Sequence, residues 1–282
     1  MDQSLRIQAS IEMQANQLFG LDELVLNEPP ADTLQTAWAN LGYWPGADTY
    51  PQAAKKMATL IGDALELSPH HTLLDVGFGL GEQLLLWLSH YQVSSVVGYN
   101  PSTLQSQYAQ EQLDARGLSK RATLHPKPAR AISEQAPLQF DRVIALDSAY
   151  HFESRAEFIK QAKPLLCPGG KLGIIDILPT ERALKGLGRI VTPLLAKAMY
   201  IPRANLHTIA HYQLMTAQSG FKACSSIDIT EAVFPGFCAH ILENTPQHRH
   251  DPRWRKMRIS AALLSRLHEH RYIQAVMVIA SA

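Results

Sequence analysis

A glycine-rich turn is the first stretch of this sequence whose residue types and spacing suggest chemistry. Residues 71–83 read HTLLDVGFGLGEQ, so that Asp75 is followed by Gly77, Gly79 and Gly81. Glycines between a strand and a helix let the backbone approach a ligand and adopt conformations that a side chain would block. The spacing matches neither a P-loop nor the G-x-G-x-x-G of a dinucleotide site, because residue 82 is Glu. We therefore expect another ligand, held at the carboxyl end of a strand.

A second candidate is His151, which lies after another apolar run as the penultimate residue of the stretch FDRVIALDSAYHF. An unperturbed imidazole has a pKa of about 6.5, so a neutral ring can accept a proton near neutral pH. His151 is therefore a candidate general base. The alternative is that it only shapes a pocket.

These residues need a scaffold, and the chain alternates short apolar runs with helical patterns. Such alternation is typical of βαβ units and a parallel sheet. We predict an α/β fold with a doubly wound, seven-stranded, mostly parallel sheet whose last strand need not be parallel. The predicted strands cover residues 72–77, 94–100, 122–126, 140–147, 171–178, 224–234 and 271–281.

Two segments lie outside this alternation. Residues 1–66 are predicted to form an N-terminal helical extension, with one helix starting near Asp48, Thr49 and Pro51. Residues 67–282 then form the α/β domain. Within it, residues 179–220 are too long and too apolar for an ordinary connection of about 2–6 residues. We call residues 179–220 the cap segment and expect its apolar side chains to line a substrate pocket.

Composition limits the function. The 282 residues carry a net charge of +1, which provides no overall field to attract nucleic acid. Three cysteines without CxxC pairing favour a reducing compartment and argue against a zinc site, and no metal is expected. We expect a cytoplasmic protein, because we see no signal peptide and no membrane-spanning run. Residues 248–271 carry a local charge of +5, which fits a solvated helix face or a patch for a phosphorylated substrate or anionic lipid.

Four motifs in order resemble class I S-adenosylmethionine-dependent small-molecule methyltransferases. The motifs are NLGYWPGADTY, LLDVGFGLGEQ, FDRVIALDSAYHF and LLCPGGKLGIIDI. The resemblance is to the group that contains natural-product sugar O-methyltransferases, sterol C-methyltransferases and cyclopropane fatty acid synthases. It implies a Rossmann-like fold and S-adenosylmethionine as cofactor, with S-adenosylhomocysteine as product.

The resemblance also implies a set of cofactor-binding residues. Three positions depart from the common pattern: Phe78 replaces a cysteine, Asn100 replaces an acidic residue that accepts the ribose hydroxyls, and Pro128 replaces an aspartate near the adenine. Some lipid and natural-product members lack that acid and keep S-x-x-Q, matched here by Ser102 and Gln105. Adenine recognition stays unassigned. The implied cofactor-binding residues are Tyr43, Asp75, Gly77, Gly79, Gly81, Asn100, Gln105 and Asp147.

The resemblance further implies that His151 and Asp176 take part in catalysis. Asp176 could orient His151, bind a substrate hydroxyl, or cap the next helix. We expect O-methylation of a small, lipophilic acceptor. C- or N-methylation, a cyclase that keeps the cofactor as scaffold, and methylation of a macromolecule are the alternatives. The oligomeric state stays open, and peripheral membrane contact is compatible with the sequence.

Overall fold

The computed structural model describes residues 13, 15, 16, 19–27, 35–135 and 138–282. Its seven-stranded sheet has the order β3-β2-β1-β4-β5-β7-β6. Strands β1 to β5 run parallel to one another, and β7 runs antiparallel to both β5 and β6. The predicted doubly wound, mostly parallel sheet is confirmed. The strands are β1 (Thr72–Val76), β2 (Ser95–Tyr99), β3 (Ala122–His125), β4 (Phe140–Leu146), β5 (Leu166–Pro179), β6 (Ala223–Asp228) and β7 (Ile273–Ser281).

Helices cover both faces of the sheet. The first begins where the sequence predicts, because the Thr49 side chain accepts a hydrogen bond from the Gln52 N–H at 3.4 Å and Pro51 lies in the first turn. No helix in the described part of the chain is long and apolar enough to span a membrane. The helices are α1 (Tyr50–Ala64), α2 (Glu82–Ser89), α3 (Thr103–Ala115), α4 (Arg155–Ala162), α5 (Gly188–Ala198), α6 (Ile209–Gln218), α7 (Thr230–Asn244) and α8 (Pro252–Glu269).

Two predicted boundaries are corrected. The strand predicted over residues 224–234 is wrong in its second half, because β6 ends at Asp228 and Thr230 begins α7. From there Val233, Phe234 and Phe237 are buried at helical spacing, which a strand could not achieve on one face. Strand β5 begins five residues early, at Leu166, which pairs with Phe140 ahead of a shift in register.

The sheet is buried on both faces, as expected for parallel strands. Along β1, Leu73 packs into one hydrophobic core, whereas Leu74 and Val76 pack into the other. The predicted division of the chain at residue 66 stays a prediction. Of the predicted N-terminal extension, residues 1–12, 14, 17, 18 and 28–34 lie outside the described residues.

A buried ion pair ties β5 to α4. The Arg155 Nε atom lies 2.6 Å from Asp176 Oδ2, and neither side chain is exposed to solvent. A second guanidinium N–H donates to Asp176 Oδ1 at 3.0 Å, and the Ile177 N–H donates to the same oxygen at 2.9 Å. Burial raises the pKa of Asp176, which Arg155 opposes by stabilising the charged form. Asp176 therefore acts as the counter-ion of Arg155.

Asn205 of the cap segment joins this pair to the turn after β4. Its side-chain amide donates to the carbonyls of Tyr150 at 3.1 Å and Phe152 at 2.6 Å, and its Oδ1 accepts from the Arg155 N–H at 2.8 Å. The Arg155 guanidinium donates to the Asn205 carbonyl at 2.7 Å. The network thus fixes the turn that carries His151 against the cap segment and β5.

We predict that Asp176→Asn destabilises the protein by about 3–5 kcal/mol, because it leaves the Arg155 charge buried without its counter-ion. Chemical denaturation with a two-state fit measures the change. The double variant R155M/D176L should be much closer to the wild type, because no charge remains buried. Glu66→Gln, which removes the exposed partner of Lys171, serves as the control and should change stability little. A mild effect of Asp176→Asn would contradict the structural role.

Candidate active site

A pocket of about 360 Å³ opens at the carboxyl ends of β1, β2 and β4. Ligands of doubly wound folds bind at this edge of the sheet, and the volume is in the range of small-molecule sites. Loops that follow the strands form the floor. Residues 37–40 and parts of residues 15–23, which precede α1, form the opposite wall. The loop residues include Gly77, Gly79, Asn100, Gln105, Pro128, Asp147 and His151.

The three predicted glycines have different roles in this turn. All have positive φ, at 85° for Gly77, 57° for Gly79 and 89° for Gly81. A Cβ at Gly77 would lie 2.5 Å from the Ser148 Cβ, and one at Gly81 would lie 2.5 Å from the Ala109 Cβ of α3. Gly77 and Gly79 line the pocket, whereas Gly81 lies behind it and serves close packing between α2 and α3.

Asn100 and Gln105 meet at the pocket wall after β2. The Asn100 amide donates to the Gln105 Oε1 at 3.0 Å, and both side chains are buried. Gln105 also donates to the carbonyl of Gly20 at 2.9 Å, which ties the N-terminal wall to α3. Ser102 is the N-cap of α3 and accepts from the Gln105 N–H at 3.2 Å. Of the S-x-x-Q pair, Gln105 therefore lines the pocket, and Ser102 caps the helix that carries it.

Besides Gly81, two more predicted cofactor-binding residues lie away from the pocket. Asp75 is fully buried and accepts hydrogen bonds from Gln83 at 2.8 Å and the Trp87 indole at 2.7 Å, which positions Gln83 at the pocket wall. Burial raises the pKa of Asp75 to about 6. Tyr43 lies in a separate groove beside Thr230. A direct contact of either side chain with a ligand in the pocket is therefore not supported.

Asp147 is the most constrained residue in the pocket. Its φ of 52° places it in the left-handed region, a strained conformation often found at functional sites. Oδ2 accepts from the Leu41 N–H at 2.7 Å, and the Tyr150 hydroxyl bonds to the carboxylate. Burial raises the pKa of Asp147 to about 7. The carboxyl is therefore poised to become charged when a cation enters the pocket.

His151 follows on a short helical turn and lines the pocket as predicted. Its Nδ1 atom lies 3.1 Å from the carbonyl oxygen of Tyr200 in the cap segment. A carbonyl only accepts hydrogen bonds, so Nδ1 carries the proton and Nε2 holds the lone pair in the neutral ring. Burial lowers the pKa of His151 to about 4, which keeps the ring neutral at physiological pH.

Asp176 is the fourth predicted residue outside the pocket, after Tyr43, Asp75 and Gly81. Its contacts with Arg155 account for its burial, and a part for Asp176 in catalysis stays a prediction. It acts on His151 only indirectly, because the Arg155–Asn205 network holds the turn before and after that residue.

The pocket also contains residues that the sequence did not identify. Glu23 lines it with a buried Oε2 atom that has no hydrogen-bond partner, and burial raises the pKa of this carboxyl. Glu82 also lines it and accepts from the Ala37 N–H at 2.9 Å. Phe19 and Trp38 complete the apolar side. Glu82 lies within the glycine-rich motif, whereas no motif marks Phe19, Glu23 and Trp38, because long-range folding of the N-terminal segment brings those three to the pocket.

The basic stretch of residues 248–271 does not line this pocket. Within it, Lys256 pairs with Asp22 at 3.2 Å and Arg253 pairs with Asp251 at 2.7 Å. Among the described residues, no three His, Cys, Asp or Glu side chains are grouped to hold a metal ion. A phosphate site on this stretch would therefore lie outside the active-site pocket.

Residues 40–236 match the family described as mycolic acid cyclopropane synthetase, which is more than half of the chain. The chain belongs to this family. The match covers the turn after β1, the turn after β4 and the cap segment. The predicted resemblance to small-molecule methyltransferases is thereby confirmed at the level of the family.

Individual relatives agree with the family. The chain is 35% identical over 150 residues to erythromycin 3''-O-methyltransferase of Saccharopolyspora erythraea, an alignment that covers 53% of this chain and 49% of that enzyme. It is 28% identical over 199 residues to the methyltransferase GfsG of Streptomyces halstedii, with 69% of each chain covered. The chain thus spans about half the length of the erythromycin enzyme.

The fold agrees as well. The structure of the cyclopropane synthase MmaA2 from Mycobacterium tuberculosis superposes with a TM-score of 0.76 at 19% identity, covering 97% of this chain and 98% of that one. At this identity the likeness establishes the fold, which is the Rossmann-like class I methyltransferase fold.

We predict that Asp147→Asn stabilises the ligand-free protein at pH 8 and has less effect at pH 5. A buried carboxyl with a raised pKa holds its proton in the folded state, so ionisation destabilises the fold increasingly as the pH rises from about 4 to about 7. Asn removes the charge and tolerates the left-handed backbone.

Thermal unfolding of wild type and variant at both pH values tests this prediction, with the exposed Asp114→Asn as control. A melting temperature a few degrees higher for Asp147→Asn at pH 8 is expected. An equal difference between variant and wild type at pH 5 and pH 8 would contradict the ionisation of Asp147.

Proposed function

We propose that this protein transfers a methyl group from S-adenosylmethionine to a hydroxyl oxygen of a small acceptor, with His151 as general base. One observation carries the proposal. A glycine-lined pocket at the carboxyl ends of β1, β2 and β4 includes a half-buried, neutral histidine, His151, whose Nδ1 is engaged by Tyr200, leaving Nε2 as a proton acceptor. The names of the relatives support methyl transfer, and the erythromycin relative supports oxygen as the acceptor atom.

The pocket residues fit this cofactor. The open surface at Gly79 suits close approach of a ligand to the backbone, and a Cβ there would meet only Ala39 at 3.4 Å. The cofactor carries positive charge at its sulfur and its amino group. The unpartnered Glu23 oxygen and the poised Asp147 carboxyl are the complement that such charges require. Asn100 and Gln105 would hold the ribose, as the sequence suggests.

S-adenosylmethionine, when bound, supplies a methyl group on a positively charged sulfur and leaves as neutral S-adenosylhomocysteine. His151 Nε2 would accept the proton that the acceptor hydroxyl loses on methylation. The Tyr200 carbonyl stabilises the protonated ring through Nδ1. The apolar wall of Phe19 and Trp38 excludes water from the reacting atoms.

The pH dependence follows from the neutral form of His151. With a pKa of about 4, the ring keeps its lone pair throughout the neutral range and loses it only as the pH falls towards 4. Cofactor affinity depends on Asp147 instead. Because its pKa is about 7, the charged form increases as the pH rises from 6 to 8, and we expect binding of S-adenosylmethionine to tighten over that range.

We predict that His151→Ala lowers kcat by about 10²–10⁴-fold, the usual contribution of a general base, and leaves cofactor affinity within a few-fold. Single-turnover rates with the identified acceptor and calorimetry with S-adenosylhomocysteine give the two values. The exposed His250→Ala is the matched control. Near-normal turnover by His151→Ala would show that His151 only shapes the pocket.

The test of the function itself needs no known acceptor. The protein is incubated with methyl-labelled S-adenosylmethionine and a cell extract separated into lipid, polar small-molecule, RNA and protein fractions. We expect label in the lipid or small-molecule fraction, and alkaline stability with characteristic fragmentation of the product would distinguish O- from C- or N-methylation. Label in RNA or protein would overturn the small-molecule assignment. Binding of S-adenosylhomocysteine without any labelled product from acceptor-containing extracts would favour the cyclase alternative.

We also propose that the acceptor is lipophilic and that the protein works in the cytoplasm. The apolar pocket wall supports the first point. The three cysteines, all free in the structure, support the second because they agree with a reducing compartment.

A further inference from the structure

A second groove adjoins the pocket beneath the cap segment. Helix α5 and the turn that follows it form its wall, and Phe19 and His151 belong to both the groove and the pocket. The two rings meet edge to face with centroids 5.2 Å apart. A molecule in this groove would therefore lie next to Phe19 and His151.

The groove is apolar along its length. Ile190 and Leu194 stand one turn apart on α5, and their side chains are 67% and 66% exposed. Covering such side chains with an apolar ligand removes them from water, which favours binding. The other apolar lining residues are Pro193, Tyr200, Ile201 and Pro202.

The charged side chains that line the groove are all positively charged. Arg189, Lys197 and Arg203 line it, and no Asp or Glu does. Within the described residues, no acidic side chain pairs with any of these three cations. Other cations of the cap segment are engaged, since Lys185 pairs with Glu181 at 3.2 Å and Arg182 lies over the Tyr272 ring.

We propose that this groove binds the methyl acceptor and that the acceptor is an amphiphilic anion. Its apolar body packs on Ile190 and Leu194, and its carboxylate, phosphate or sulfate group lies near Arg189, Lys197 and Arg203. Its hydroxyl then faces His151. The proposal rests on the methyl-transfer function above and adds the charge of the substrate. A small molecule is favoured over a bilayer because the groove shares Phe19 and His151 with the pocket.

Binding of matched eight-carbon probes tests the charge preference without requiring catalysis. Calorimetry compares octyl phosphate, octanol and octyltrimethylammonium, each below its micelle concentration and at low salt. Octyl phosphate should bind roughly five- to tenfold more tightly than octanol, because exposed ion pairs are individually weak but act together here. The cationic probe should bind most weakly. Added salt should reduce only the preference for the anion.

Two double variants locate the site. R189Q/K197Q should reduce octyl phosphate affinity to that of octanol while leaving S-adenosylhomocysteine affinity unchanged. K222Q/R258Q removes the same charge from exposed positions outside the groove and should leave both affinities at the wild-type values. Unchanged S-adenosylhomocysteine binding separates a failure of this proposal from a failure of the cofactor assignment.

Two results would overturn the proposal. The first is equal affinity for octyl phosphate and octanol, or an equal loss in both double variants. The second is sedimentation of the protein with phosphatidylglycerol vesicles that is lost in R189Q/K197Q, in the absence of octyl phosphate binding. That outcome would assign the cations to a membrane surface instead.

Discussion

The position of the candidate base depends on one buried network, the Arg155–Asp176 ion pair together with Asn205. A buried charge is costly unless it is paired and hydrogen-bonded, so each member requires the others. Asn205 uses its amide to hold the carbonyls on either side of His151. The side chain nearest the proposed chemistry is therefore oriented by three residues that do not themselves line the pocket.

The same network connects the cap segment to the sheet. The cap also reaches His151 directly, through the Tyr200 carbonyl that fixes the tautomer of the ring. The groove beneath the cap segment, His151 and the carboxyl edge of the sheet thus belong to one packed unit. A change in the cap can alter both the shape of the groove and the proton position on His151, which offers a physical route by which acceptor choice and base alignment vary together.

The ligand-free pocket is electrostatically strained. Glu23, Glu82 and Asp147 all line it, and burial raises the pKa of each carboxyl. These groups destabilise the protein when charged and become favourable when a cationic ligand neutralises them. The left-handed backbone of Asp147 adds to this strain.

By itself, the sequence determined the periodic features of this protein. Alternating apolar runs predicted the strands. The glycine turn and the stretch FDRVIALDSAYHF, which contains His151, indicated the correct edge of the sheet. Local patterns suffice there because strand period, turn chemistry and the parallel topology place these residues together. The sequence did not distinguish an acid facing the pocket from an acid facing the core. Asp75 lies in β1 and Asp147 directly follows β4, yet only Asp147 lines the pocket.

Tertiary structure decided the rest, because these features depend on contacts between segments distant in the chain. Asp176 pairs with Arg155 in the core. Glu23 and Phe19 line the pocket, although they belong to a segment that carries no motif. The end of β6 at Asp228 was also decided in this way, since burial of Phe234 and Phe237 favours the helix. Whether a residue belongs to the site therefore depends more on the contacts of its side chain than on its residue type.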